Sequence, residues 1–303
     1  MIYDIVIIGG GPAGLTAATY GCRAGRSVLV IEKNAFGGQI AWSPKVENFP
    51  GFLSVSGVEL GDKLLEQAMS QGAEVELDEV CSISREGELS RLHCLSGAEF
   101  SGRSVILAAG AKPRMLGLER EEELVGSGVC FCALCDGAFY KDQAVAVAGG
   151  GNSALQDALL LSESCSKVYL IHRRSAFRGE NRLVQALEQK SNVELVLETR
   201  IVELLGKDEL SGLVLDTPEG RREIDISGLF VAVGHQPDLD AFSSCLKLDE
   251  AGYADSGEDC RTDSPWLFVA GDCRKKSVRQ LTTAAADGSS AAMAACQWLD
   301  SQG

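Results

Sequence analysis

The chain has 303 residues, 45% hydrophobic and 23% charged, which allows two globular domains with sizeable cores. A formal net charge of −15 repels phosphate backbones and anionic headgroups and sets nucleic acid and membrane surfaces aside as partners. No apolar run reaches the roughly 18 residues of a membrane span, and "MIYDIVIIGGG" has neither a basic start nor a cleavage site, so a cytosolic protein is expected.

The first element, "YDIVIIGGGPAGLTAATYGCRAGRSVLVIEKN", is a continuous apolar strand, a glycine turn, an Ala-rich helix and a second strand. It carries Gly9-x-Gly11-Pro12-Ala13-Gly14, and Glu32 follows Gly11 by 21 residues, the spacing of a dinucleotide-binding βαβ unit. One glycine makes the tight turn, one lets the backbone approach a pyrophosphate, and one lets helix and strand pack closely. The acid at the end of the second strand suits ribose hydroxyls and repels a 2′-phosphate.

Residues 76–100, "ELDEVCSISREGELSRLHCLSGAEF", alternate like a hairpin and precede the strand "SVILAAGAKPR". Then comes "VCFCALCDGAF", with three cysteines and an aspartate within residues 130–136. Directly after it the dinucleotide unit recurs in "QAVAVAGGGNSALQDALLLSESCSKVYLIHRR", where Gly149, Gly151 and Ala154 stand 140 residues beyond Gly9, Gly11 and Gly14. Asn152 and Ser153 open the helix, and His172, Arg173 and Arg174 occupy the place of Glu32, with Arg178 one turn on. Guanidinium forks suit a 2′-phosphate, so this copy is expected to hold NADPH and the first copy FAD. The bland alternative for "HRRSAFR", a solvated basic patch, is outweighed by the glycine motif ahead of it.

A second alternating stretch, residues 193–224, precedes "GLFVAVGHQPD", and "WLFVAGDC" lies further on. "SVILAAGAKPR" and "GLFVAVGHQPD" bracket the second dinucleotide unit, each with a proline beyond its glycine, and read as crossings between domains. The expected fold is α/β with two Rossmann-like domains: residues 1–114 and 242–303 form the FAD-binding domain, and 115–241 form an inserted NADPH-binding domain that carries the Cys-x-x-Cys pair.

Most of the eleven cysteines (Cys22, Cys81, Cys94, Cys165, Cys245, Cys260, Cys273 and Cys296) are isolated, as small buried hydrophobes are. The 130–135 cluster differs. Structural zinc needs four N or S ligands, usually in two paired clusters, and the chain offers only lone cysteines and His93, His172 and His235. A thioredoxin-type domain needs its own βαβ unit behind the pair, yet "CALCDG" runs at once into the next strand. A redox-active pair serviced by a flavin remains, because two cysteines separated by two residues close a small ring that opens easily. Asp136 adjoins Cys135 and could move a proton to or from a departing thiolate. Cys130 is expected to be a packing residue.

From "DIVIIGGGPAG" through "GGQI", "VENFPGF", "CALCDGAFY", "GGGNSALQDAL", "HRRSAFR" and "GLFVAVGHQPD" to "GDCRKKSVRQLTTAAADG", the chain resembles the low-molecular-weight thioredoxin reductases over nearly its whole length. The resemblance implies FAD held by the first glycine motif, by Glu32, Gly38, Gln39 and Asn48, and by the stretch from Gly271 and Asp272 to Arg279, Gln280 and Leu281. In that family the late aspartate meets the ribitol chain. The resemblance further implies a homodimer, thioredoxin as the protein substrate, Cys135 facing the flavin, Cys132 attacking the external disulfide and Asp136 as acid and base. The sequence departs from the family at Leu134, where many relatives have threonine, and at Cys130, which often corresponds to serine. A flavin-dependent dithiol oxidase and a ferredoxin-driven reductase of the same fold are the alternatives, and both tend to lose the NADP motifs this chain keeps. A flavin-bearing redox sensor or scaffold is the non-catalytic alternative, against which the aspartate after the pair argues.

Overall fold

The computed structural model describes residues 1–302 and divides into two compact units, Met1–Lys112 with Gln236–Gly303, and Pro113–His235. In chain order the first unit begins with β1 (Ile2–Ile8), α1 (Pro12–Arg23), β2 (Val28–Glu32), α2 (Gly57–Ser70), β3 (Glu74–Leu77), β4 (Val80–Glu86), β5 (Leu89–Cys94), β6 (Glu99–Leu107) and β7 (Ala111–Pro113). The runs Ile5–Ile8 of β1 and Val28–Ile31 of β2 are continuously apolar because both of their faces are covered. Ile5, Ile7, Val28 and Val30 pack toward helices, while Val6, Ile8, Leu29 and Ile31 pack on the opposite face. Pro12 starts α1 where its missing N–H costs nothing. Ser56 caps α2, its side chain accepting from the Glu59 N–H at 3.1 Å.

The second unit contains β8 (Val129–Cys130), α3 (Ala133–Asp136), β9 (Ala144–Ala148), α4 (Asn152–Ser162), β10 (Lys167–Ile171), α5 (Asn181–Glu188) and β11 (Val193–Val196). It continues with β12 (Arg200–Leu205), β13 (Gly212–Thr217), β14 (Gly220–Asp225) and β15 (Gly228–Val231). The chain then returns through β16 (His235–Pro237), which pairs with β7, and finishes the first unit with β17 (Leu267–Val269) and α6 (Leu281–Ser301).

In the first unit the order β3-β2-β1-β6 is parallel. The far edge of β6 is shared, β5 pairing antiparallel with its first half and β17 parallel with its last residues. Residues 76–100 therefore do more than form a hairpin, since their last strand runs straight on into the "SVIL" core strand. The second unit has a parallel five-stranded sheet, β11-β10-β9-β15-β8, with antiparallel β12-β13-β14 covering one face through Leu204, Leu213, Leu215 and Ile224. Here too the alternating stretch splits, with β11 joining the parallel sheet and the rest forming the antiparallel layer. Among the described residues no helix is long and apolar enough to cross a membrane.

Candidate active site

Both glycine turns leave the C-terminal end of a central parallel strand, where open α/β sheets take ligands. At the first, Gly9 has φ +107°, and a Cβ there would lie 2.3 Å from the Ala108 carbonyl oxygen. A Cβ on Gly14 would lie 1.9 Å from the Gly9 oxygen, which is the close helix–strand approach expected of the third glycine. A Cβ on Gly11 would meet nothing within 4 Å. The second turn repeats the pattern: Gly151 faces open space, while Ala154 is buried against Gly149.

The acid of the first unit is buried. Glu32 Oε2 accepts the Gly10 N–H at 2.7 Å and Oε1 accepts that of Asn34 at 2.9 Å. Each oxygen keeps a further lone pair for a ligand hydroxyl. His172, its counterpart, is also buried, with its ring under Gly150, stacked on Phe177 at 5.5 Å. Its Nε2 has no hydrogen-bond partner in the structure. Burial first, and then Arg178, Arg174 and Arg173, push its pKa down, with a backbone bond to Ala176 opposing them. His172 thus sits beneath the turn as a neutral ring, while Arg173, Arg174 and Arg178 stand exposed beside it. Asn152 Oδ1 accepts the Glu180 N–H at 2.7 Å and so helps to fix that arginine loop, whereas Ser153 is exposed.

The remaining residues expected around the first turn come together from distant parts of the chain. A Cβ on Gly38 would lie 3.2 Å from the Gly11 Cα, and one on Gly271 would lie 2.9 Å from the Ala13 Cβ. Asn48 donates to Gln280 Oε1 at 3.4 Å. Gln39 donates to the Ala111 carbonyl at 3.0 Å. Gln280 caps α6 just before Leu281 through a reciprocal capping box with Thr283. Arg279 does not extend freely: it stacks over Tyr253 at 4.1 Å and donates to the Asp272 carbonyl at 3.2 Å. Asp272 Oδ1 is buried without a partner. Burial pushes the Asp272 carboxyl above its ordinary range, with Lys276 and Arg279 opposing. A buried acceptor with no partner, beside a glycine cradle that a Cβ would fill, fits a polyhydroxylated cofactor such as FAD.

The cysteine pair lies just past the C-terminal end of β8, in the unit that carries the second glycine turn. Cys132 and Cys135 are joined in a disulfide with Cα atoms 5.2 Å apart. The pair opens α3, a four-residue helix that sequence patterning alone does not reveal, and Cys132 is its N-cap, with Sγ accepting the Cys135 N–H at 3.2 Å. Asp136 closes the same turn, its N–H donating to the Cys132 carbonyl at 3.0 Å. Burial pushes the Asp136 pKa up to about 6. Cys130 is a core residue whose sulfur lies 3.3 Å from the Tyr140 hydroxyl. Burial, with Asp136 adding to it, pushes that thiol up to about 12.

Two features escape a reading of the sequence. Tyr140, the partner of Cys130, stands ten residues away with no motif to mark it. Among the isolated cysteines, expected to be mostly buried, Cys81 is exposed: it occupies the irregularity in β4 between Val80 and Ser82, where alternation is lost. Among the described residues no group of three or more His, Cys, Asp or Glu is placed to hold a metal ion.

The family model of the pyridine nucleotide-disulphide oxidoreductases matches residues 3–288. A thioredoxin reductase of Listeria innocua is 38% identical over 302 residues, covering 99% of this chain and 94% of that one. A bifunctional thioredoxin reductase/thioredoxin of Mycobacterium leprae is 37% identical, covering 98% of this chain and 66% of the longer protein. The crystal structure of the Streptococcus pyogenes thioredoxin reductase superposes with a TM-score of 0.93 at 35% identity, covering 99% of both chains.

Proposed function

The chain belongs to the pyridine nucleotide-disulphide oxidoreductases, within them to the thioredoxin reductase family, and from that premise we propose that it reduces thioredoxin disulfide at the expense of NADPH. The observation that carries the reading is the Cys132–Cys135 disulfide, with the carboxyl of Asp136 one turn away, in the same unit as a glycine turn flanked by exposed arginines. Bound FAD supplies the chemistry that connects a two-electron hydride donor to a disulfide. Gly9, Gly11, Gly14, Glu32, Gly38, Asn48, Asp272 and the start of α6 hold it in the first unit. Gly151, Ala154 and the loop of Arg173, Arg174 and Arg178 hold the nicotinamide coenzyme in the second.

Reduction of the pair adds two electrons and two protons and leaves the Cys132 and Cys135 thiols. Asp136, poised near neutrality, protonates the sulfur that leaves and takes the proton back when that thiol must become a nucleophile. Cys132 then attacks the partner's disulfide, and Cys135 resolves the mixed disulfide. Leu134 stands exposed between them as an apolar contact for the partner. Thioredoxin as that partner draws support from the Mycobacterium leprae relative, in which reductase and thioredoxin share one chain. A cytosolic homodimer completes the reading, supported by the family resemblance.

Stopped-flow mixing with NADPH, with and without thioredoxin, tests it. Flavin bleaching by NADPH alone and recolouring only when oxidised thioredoxin is added is the expected result. Bleaching that thioredoxin never reverses, or that oxygen alone reverses at the same rate, would reject it.

A further inference from the structure

Behind Asp272 lies a buried ionic cluster that nothing in the glycine or cysteine motifs requires. Arg274, Lys276 and Asp287 have side chains only 2%, 5% and 7% exposed. Asp287, on α6, accepts four donors. Its Oδ2 takes the Gly271 N–H at 3.0 Å, Arg274 Nε at 3.2 Å and Lys276 Nζ at 2.8 Å, and its Oδ1 takes Arg274 Nη2 at 3.0 Å. Burial pushes the Asp287 carboxyl up, but Arg274 and Lys276 outweigh it and hold it below the ordinary range. Arg274 spends its other donors on the carbonyls of Ser256 and Gly257 and on exposed Glu258.

The cluster grips one turn. Gly271 is tied through its N–H to Asp287, Asp272 through its carbonyl to Arg279, and Arg274 through its N–H to the Gly271 carbonyl at 3.1 Å. Between these ties stands Asp272 Oδ1, among the described residues the one buried carboxylate oxygen with no partner. Lys276 is the nearest in effect of the two cations that act on it, ahead of Arg279. Burying a lysine is costly unless something needs its charge there, and Asp287 alone is already answered by Arg274 and Gly271.

We propose that Lys276, pinned by Asp287, is a positioning residue for the flavin cofactor: it fixes the 271–274 turn and sets a cation behind Asp272, so that the free carboxylate oxygen is presented to the cofactor's hydroxyls. The inference rests on the reading of Asp272 as part of the FAD site. It assigns Lys276 no contact with substrate and no part in electron transfer.

The test is FAD affinity of the full chain, measured by release of FAD fluorescence on serial dilution of the holoprotein, with far-UV circular dichroism to confirm the fold. Lys276→Met is expected to weaken FAD binding about tenfold or more, and Lys276→Arg to stay within about threefold of wild type. Asp272→Asn is expected to weaken binding by a similar factor, and the double variant Lys276→Met/Asp272→Asn to be no more than about threefold weaker than Asp272→Asn alone, because the two act through one contact. Wild-type FAD affinity in Lys276→Met, or losses that multiply in the double variant, would overturn the inference and leave the Asp272 assignment standing. Wild-type affinity in Asp272→Asn would sink both. If Lys276→Met does not fold, Lys276→Gln carries the same expectation, and failure of both to fold assigns the lysine a purely structural role.

Discussion

Glu32 and Gly10 are joined by a 2.7 Å hydrogen bond from the backbone N–H to the carboxylate, so the acid expected to meet a ribose also ties down the turn that meets the pyrophosphate. Glu32→Ala is expected to leave the buried Gly10 donor unmatched, costing about 1–3 kcal/mol of unfolding free energy. FAD affinity should fall with it. Urea denaturation of the holoprotein and of the FAD-stripped chain checks this: a loss seen only with FAD present would mean the carboxylate serves the ligand and not the turn.

Asp136 gives a pH dependence with a definite sign. Its folded pKa, about 6, lies above the ordinary value of 3.8, so the fold favours the protonated form. A step in which a thiolate leaves is fastest with Asp136 protonated, and is expected to slow as pH rises through about 6. Asp136→Asn should flatten that limb and slow turnover by roughly two orders of magnitude. By the same linkage the wild-type carboxyl costs stability above pH 6, so the Asn variant should be about 1 kcal/mol more stable at pH 8, after allowance for its partial exposure. An unchanged pH profile in the variant would reduce Asp136 to a member of the α3 turn.

The arginine loop decides the coenzyme. Two charged hydrogen bonds from Arg173, Arg174 and Arg178, each worth about 1.5–3 kcal/mol, favour NADPH over NADH about a hundredfold or more in kcat/KM. Arg173→Ala/Arg174→Ala should bring the two coenzymes within about tenfold of each other by raising KM for NADPH. Equal kcat/KM for both coenzymes in the wild type would leave the loop a solvated basic patch. His172, buried under Gly150, is expected to act on packing: His172→Ala should lower stability more than it changes coenzyme preference.

The two cysteines separate by trapping. Cys135→Ser leaves Cys132 free to attack thioredoxin and hold it as a mixed disulfide that survives non-reducing electrophoresis. Cys132→Ser is expected to trap none, and both variants should be inactive in turnover while NADPH still bleaches their flavin. Trapping by Cys132→Ser alone would exchange the roles. Trapping that persists in a Cys132→Ser/Cys135→Ser chain would point to Cys130, against its burial and its raised pKa.

The α/β class, the repeated βαβ glycine unit and the Cys132–Cys135 disulfide were legible because each rests on local chemistry: apolar strands covered on both faces, glycines at a fixed spacing, and two cysteines two residues apart. What stayed hidden depends on residues that touch across long stretches of chain. The Asn48–Gln280 pairing spans 232 residues, and the Asp287 network joins α6 to the turn at Gly271. Alternation misled where strands change neighbours. β6 is antiparallel to β5 and then parallel to β1 and β17, and no period in its sequence announces the switch. His172 illustrates a third limit, since register with Glu32 was readable but the ring's descent beneath Gly150 was not.

The distribution of sulfur makes the protein its own redox indicator. Nine cysteines lie outside the disulfide, and of these Cys81 alone is exposed, while Cys22 and Cys245 are half-covered and have pKa values raised by burial. Brief treatment with a thiol-alkylating reagent near neutral pH therefore adds one label per oxidised chain. Once NADPH has opened the Cys132–Cys135 bond, the same treatment is expected to add further label at the freed thiols. The mass difference between the two populations counts reduced active centres directly, without reference to the flavin's colour or to any thioredoxin, and Cys81 serves in both as the internal standard.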